Sequence, residues 1–161
     1  MPQDLYRQLA KGPPVHYHLQ FGPNGTLVNV ATVVNETSNL IPVISKLCEK
    51  DSFISHAWLC DKGVRHISKE LPKEGGFCGY RNIQMMISYI QATYTEGSHP
   101  FPGMIPSVIK LQDLIENGWD MGINPHARVE TGGIKGTRKY IGTSEVKQCY
   151  DQYNYMGLTR F

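Results

Sequence analysis

β-Branched and aromatic residues crowd two stretches near the start of the chain, Val15 to Phe21 and Thr26 to Val34, on either side of the turn sequence Gly22-Pro23-Asn24-Gly25. That arrangement predicts a β-hairpin. Leu40, Val43, Ile44 and Leu47 then recur at helical spacing, so a helix is expected from a cap at Ser38 or Asn39 to about Lys50. Phe53 to Cys60 reads as a short strand, and Asp61 to Gly76 turns polar and glycine-bearing, ending in the loop sequence Pro72-Lys73-Glu74-Gly75-Gly76. The clearest period comes next: Ile83, Met86, Ile87, Ile90 and Tyr94 mark one face of a helix over residues 79–94. After a Pro/Gly loop from Gly97 to Gly103, Pro106 suits a first helical position, and Val108, Leu111, Ile115 and Trp119 form a second stripe ending near Gly122. Residues 123–142 are polar and glycine-rich, which predicts loop. Gly142-Thr143-Ser144 offers a cap for a last helix with Val146, Cys149 and Tyr153 inside, and Tyr155 to Phe161 reads as the beginning of a strand.

Composition narrows the classes. A chain of 161 residues suits one domain with a real core. A net charge of +2 without a basic run gives no support for nucleic-acid capture. Met1 to Ala10 holds no apolar signal region, and no stretch approaches the ~18 apolar residues of a membrane span, so a soluble cytoplasmic or nuclear protein is expected. Cys48, Cys60, Cys78 and Cys149 stand far apart with no C-x-x-C pair, which speaks for reduced thiols and against a structural metal site. Gly132-Gly133-Ile134-Lys135-Gly136-Thr137 lacks the spacing of a phosphate-cradling loop, so no cofactor is expected.

Cys78 is the residue that carries candidate chemistry. A cysteine attacks carbonyls as thiolate, and the unpaired N–H groups and positive dipole end of a helix start favour that form. Cys78 falls at such a start, and Gly75, Gly76 and Gly79 would let a substrate backbone pass near the sulfur while local N–H groups point at a developing oxyanion. A small buried apolar group is the competing reading, and spacing alone does not separate the two.

The run Gly76-Phe77-Cys78-Gly79-Tyr80-Arg81-Asn82-Ile83-Gln84-Met85-Met86 resembles the nucleophile motif of the ubiquitin-fold-modifier-specific proteases. It is closest to the branch containing zinc-finger ubiquitin chain peptidases and their fungal relatives. Ile105 to Gln112 with Trp119, and Gly136 to Val146, are similar to two further blocks in the same order, so the resemblance covers roughly residues 58–150. It implies a papain-like α/β (α+β) fold, incomplete here, with the nucleophile helix packed on a partial sheet. Residues 58–161 would be the N-terminal part of the peptidase domain, and residues 1–57 an α/β extension of its own. It also implies cleavage after the C-terminal glycine of ubiquitin or a ubiquitin-like modifier, which would be the partner. Carried over, Cys78 is the nucleophile, its backbone N–H an oxyanion donor and His66 in the lead-in loop a second donor. Gly79, Tyr80, Arg81, Asn82 and Glu145 would contact substrate or support the site, although a Glu in a first helical turn also suits the dipole alone.

The proton acceptor is the gap. A cysteine protease needs an imidazole and a group to orient it, about 130–150 residues past the nucleophile in papain-type enzymes. Only 83 residues follow Cys78, and the downstream histidines, His99 and His126, lie in segments that do not match the family's His and Asp blocks. Three explanations stay open: a truncated chain, a degenerate copy without activity, or completion by another chain. Truncation is favoured because the motifs near Cys78 are intact. No more than trace turnover is expected, with an unpaired sheet edge and marginal stability. The alternative from another class is a catalytically silent module that still binds ubiquitin or a relative.

Overall fold

Two leucines one helical turn apart fix where the N-terminus goes. The computed structural model describes residues 1–71, 74–93, 101 and 103–158. Its first element, α1 (Gln3–Lys11), buries Leu5 and Leu9, and the Met1 ammonium donates to the Gly136 carbonyl at 2.9 Å. Sequence reading saw no element here, because two apolar residues in a polar stretch make a weak periodic signal. The leucines of α1 share the core of the later helices.

The hairpin forms as expected from β1 (Val15–Phe21) and β2 (Leu27–Val33), antiparallel, with Val15 opposite Val33 and Phe21 opposite Leu27. Its turn closes with the Gly22 N–H on the Thr26 carbonyl at 2.8 Å and Gly25 at φ +73°, a left-handed position that glycine adopts freely. A second two-stranded sheet pairs β3 (Glu36–Thr37) with β4 (His66–Ile67), inside a segment expected to be all loop. Between them lies α2 (Leu40–Lys50), which has the expected length but buries no residue, so the stripe Leu40, Val43, Ile44 and Leu47 packs on little. Asn39 stands at its N-cap at φ +58° and makes no side-chain cap bond. Phe53 to Cys60 is not a strand; it pairs with no strand among the described residues, and Phe53 and Trp58 are 95% and 90% exposed.

Most of the rest of the core comes from four helices: α3 (Cys78–Thr93), α4 (Val108–Asp120), α5 (Pro125–Thr131) and α6 (Thr143–Leu158). In α4, Val108, Leu111, Ile115 and Trp119 are all buried as the stripe predicted, but Ser107, not Pro106, opens the helix, its hydroxyl accepting from the Lys110 N–H at 3.2 Å. α6 packs close on α4 at Gly118, where a Cβ would come within 2.7 Å of Gln148 Nε2, and Gln148 donates to the Ile115 carbonyl at 2.8 Å. α5 interrupts the expected loop, started by Pro125 and ended by Gly132 at φ +66°. The chain from Tyr155 to Leu158 continues α6 instead of starting a strand.

In α3, Tyr80, Ile83 and Ile87 are fully buried while Met86 is 47% exposed, so the inward face is rotated from the predicted stripe. Tyr94 and, in the predicted loop, Gly97 to Pro100 and Pro102 lie outside the described residues. The architecture is mixed α/β, and the strand that α3 touches is the short β4.

Candidate active site

Cys78 is the first residue of α3 and is exposed. The first intrahelical bond runs from the Arg81 N–H to the Phe77 carbonyl at 3.0 Å, so the N–H groups of Cys78, Gly79 and Tyr80 have no intrahelical acceptor. These are the donors that a tetrahedral oxyanion requires.

The approach to Cys78 is held by Glu74, which sequence reading did not single out. Its buried carboxylate accepts from the backbone N–H of Glu70 at 2.6 Å and of Leu71 at 3.0 Å, and from Arg81 Nη2 at 2.6 Å and Nε at 3.3 Å. Gly75 follows at φ +70°, turning the chain back toward the helix. Arg81 also donates to Gln84 Oε1 at 2.9 Å, and Gln84 donates to the Pro106 carbonyl at 2.7 Å, tying the helix start to the entry of α4. Glu70 stands 3.7 Å from Arg81 with its carboxyl raised above the ordinary range, first by burial and, against the pull of Arg81, by the neighbouring Glu74. Arg81 is therefore a positioning residue of the loop.

A second segment lies against the glycines. Arg138 covers Gly75, a Cβ on Gly76 would come within 2.8 Å of the Tyr140 ring, and a Cβ on Gly79 within 2.7 Å of Ile141 Cγ1. Residues 138–141 thus form a ledge beside Cys78, with Tyr140 71% exposed. Buried side chains anchor the segment leading to it: Gln112 accepts from the Gly136 N–H at 3.0 Å and donates to the Thr137 carbonyl at 3.2 Å, and Glu116 accepts from the Ile134 N–H at 2.6 Å. Lys139 Nζ donates to the Thr131 and Gly133 carbonyls. A sequence signal was present in the glycines themselves, but their partners 60-odd residues later were not readable from it.

The other predicted residues divide. Tyr80 is fully buried, edge-on to Phe77 at 5.7 Å, and its hydroxyl is pushed up to about 12, chiefly by burial. Glu145 accepts from the Gly142 N–H at 2.7 Å and from the Ser144 hydroxyl at 2.9 Å, a capping arrangement at the start of α6. Asn82 is exposed and makes no side-chain hydrogen bond among the described residues. His66 lies in β4 and makes no hydrogen bond to Cys78 among the described residues. The adjacent Arg65 N–H donates to Ser88 Oγ at 3.1 Å, ten residues along α3 from Cys78, or about 15 Å at the helical rise. Among the described residues no histidine hydrogen-bonds to Cys78, and no three His, Cys, Asp or Glu side chains group as metal ligands.

Comparison with known proteins bears on the same segment. The family model for Peptidase family C78 matches residues 54–158. Zinc finger-containing ubiquitin peptidase 1 of Homo sapiens is 28% identical over 113 residues, 69% of this chain and 19% of that protein. The Macaca fascicularis protein is 25% identical over 138 residues, 83% of this chain and 24% of its own length. The Rattus norvegicus protein is 32% identical over 85 residues, 52% of this chain and 15% of its own. The chain thus spans about a fifth of the length of these relatives.

Proposed function

The chain belongs to peptidase family C78, and from that membership we propose that it carries the nucleophile-bearing part of a cysteine peptidase acting after the C-terminal glycine of ubiquitin or a ubiquitin-like modifier. The observation that supports this reading most is the exposed Cys78 thiol at the first position of α3, beside first-turn N–H groups that have no intrahelical acceptor.

In the proposed reaction Cys78 Sγ gives its proton to a base and attacks the scissile carbonyl as thiolate, its electron pair forming the C–S bond as the carbonyl oxygen takes up negative charge. First-turn N–H groups receive that charge. Collapse expels the amine, which must gain a proton as it leaves, and water then hydrolyses the thioester to restore the thiol. The proton for the amine is the step that the described contacts of Cys78 do not supply. We therefore expect the 161-residue polypeptide to show little or no turnover of a ubiquitin amidomethylcoumarin substrate. Robust turnover abolished by Cys78→Ala would show a base in place and overturn that part of the reading.

The lack of an imidazole on Cys78 among the described residues also favours a second reading, a silent module that binds the modifier. Retention of ubiquitin by Cys78→Ala with no covalent capture by the parent would select it. A cytoplasmic or nuclear site fits four unpaired cysteines, and among the described residues no helix is long and apolar enough to cross a membrane.

A further inference from the structure

The hairpin sorts its side chains by face. Residues directly opposite each other in an antiparallel pair point the same way, so the pairs Tyr17–Ala31, Leu19–Asn29 and Phe21–Leu27 share one face, while His16, His18, Gln20 and Thr32 share the other. A sheet with that alternation ordinarily lays its apolar face on a core. Here it does not: Tyr17, Leu19, Phe21 and Leu27 are 70%, 68%, 74% and 59% exposed, and no residue of the hairpin belongs to the core cluster. A two-stranded hairpin standing alone is marginal in water, so this face calls for a cover.

Its composition and its size both indicate what the cover is. No residue of the face carries a charge, and its polar groups are the Asn29 amide and the Tyr17 hydroxyl, each of which can donate and accept. Such a face offers no handle to a charged partner and is complementary to itself, as a twofold contact requires, because a residue on the axis meets its own copy. Leu19–Asn29 is the middle one of the three exposed pairs, which sets two Asn29 amides together at the centre of a face-to-face contact. As for size, aromatic side chains of about 150–250 Å² each leave roughly 200–350 Å² open at Tyr17 and Phe21. With Leu19, Leu27, Asn29 and Ala31 the patch comes to about 500–600 Å², and two such faces bury about 1,000–1,200 Å², the lower end for a specific association.

We propose that this face is the interface of a reversible twofold dimer of the chain, two hairpins stacked face to face with Asn29 against its copy on the axis. Sheets packed in this way lie about 10 Å apart, a gap that leucine and aromatic side chains fill. The contact uses no residue of the ledge and does not depend on Cys78 being catalytic.

Sedimentation equilibrium of the full chain, from low micromolar to submillimolar concentration, tests it. A monomer–dimer equilibrium is expected, and Phe21→Lys should abolish it. Asn29→Asp and Asn29→Lys should each be monomeric alone, because like charges meet on the axis, and their equimolar mixture should dimerise again. His18→Glu, on the opposite face, should dimerise as the parent does. Since the hairpin lies outside the core, each variant should keep the parent's circular dichroism and melting temperature, and recovery in the mixture separates a lost contact from a lost fold. A parent that stays monomeric throughout, including one whose Leu19 and Phe21 NMR signals respond to ubiquitin instead, would overturn the proposal. So would a dimer that persists in Asn29→Asp, as hairpins joined edge to edge would, or a mixture that fails to recover it.

Discussion

Arg81 Nη2 lies 2.6 Å from Glu74 Oε1, and these two buried residues stand on either side of Cys78 in the sequence. The pair closes the loop that delivers the nucleophile, and the cost of burying two charges is offset by four further bonds, three to Glu74 and one from Arg81 to Gln84.

Removing one partner should therefore hurt far more than removing both. Arg81→Met leaves the Glu74 carboxylate buried and unpaired, and a loss of about 3–5 kcal/mol is expected in urea denaturation. Glu74→Leu combined with Arg81→Met should recover much of that loss while freeing the loop, read as a changed rate of Cys78 alkylation.

Gly79→Ala separates the ledge from helix propensity. In an unconstrained helix the change stabilises by up to about 1 kcal/mol. Here the new methyl would meet Ile141 Cγ1 at 2.7 Å and its carbonyl oxygen at 3.2 Å, so the expected result is destabilisation of about 1–3 kcal/mol. Thermal melts of Gly79→Ala alone and with Ile141→Ala check it, the second change relieving the side-chain part.

Glu70→Gln should stabilise the protein at neutral pH. The Glu70 carboxyl is raised by burial and by Glu74, so the native state favours its protonated form; that contribution is present at low pH and is lost as pH rises through the folded value. The advantage of the Gln variant should thus shrink toward acid in melts run across pH.

Alkaline pH should unfold the core. Cys149 is pushed up to about 12 and Tyr80 to about 12, both by burial, and Tyr150 is raised in the same way. Native protons are held where the unfolded chain has lost them, so stability is complete below the ordinary values, 9.0 for the thiol and 10.0 for the phenols, and falls as pH climbs toward the folded ones. Each such group adds a slope of about 1.4 kcal/mol per pH unit at most. Cys149→Ala should remove the part that begins near 9.0, read from urea midpoints at stepped pH.

What sequence periodicity reveals is burial on one face, and it was legible in α4, whose stripe is buried; the hairpin, whose strands stay largely exposed, was legible instead from its β-branched runs and its turn, and Cys78 from its place at a helix start. It misled at Phe53 to Cys60, whose apolar residues meet solvent, and at α2, whose stripe stays outside the core. It missed α1 and α5, where two leucines and one buried alanine carry the packing. Glu74 was invisible because its meaning depends on Arg81 folding back across the Gly75 turn. His66 sits in β4, which pairs with β3 and docks by Ser88, so nearness to the nucleophile along the chain does not by itself bring its imidazole to Cys78.

The central claim is that Cys78 is a nucleophile presented to a modifier tail, and an electrophile tests it without requiring a leaving amine to be protonated. Ubiquitin or a ubiquitin-like modifier bearing a C-terminal vinyl sulfone should form a single adduct that peptide mass analysis maps to Cys78 and that Cys78→Ala abolishes. Cys60, also exposed, is the internal control. No adduct with any modifier, or one that forms on Cys60 as fast as on Cys78, would contradict the account.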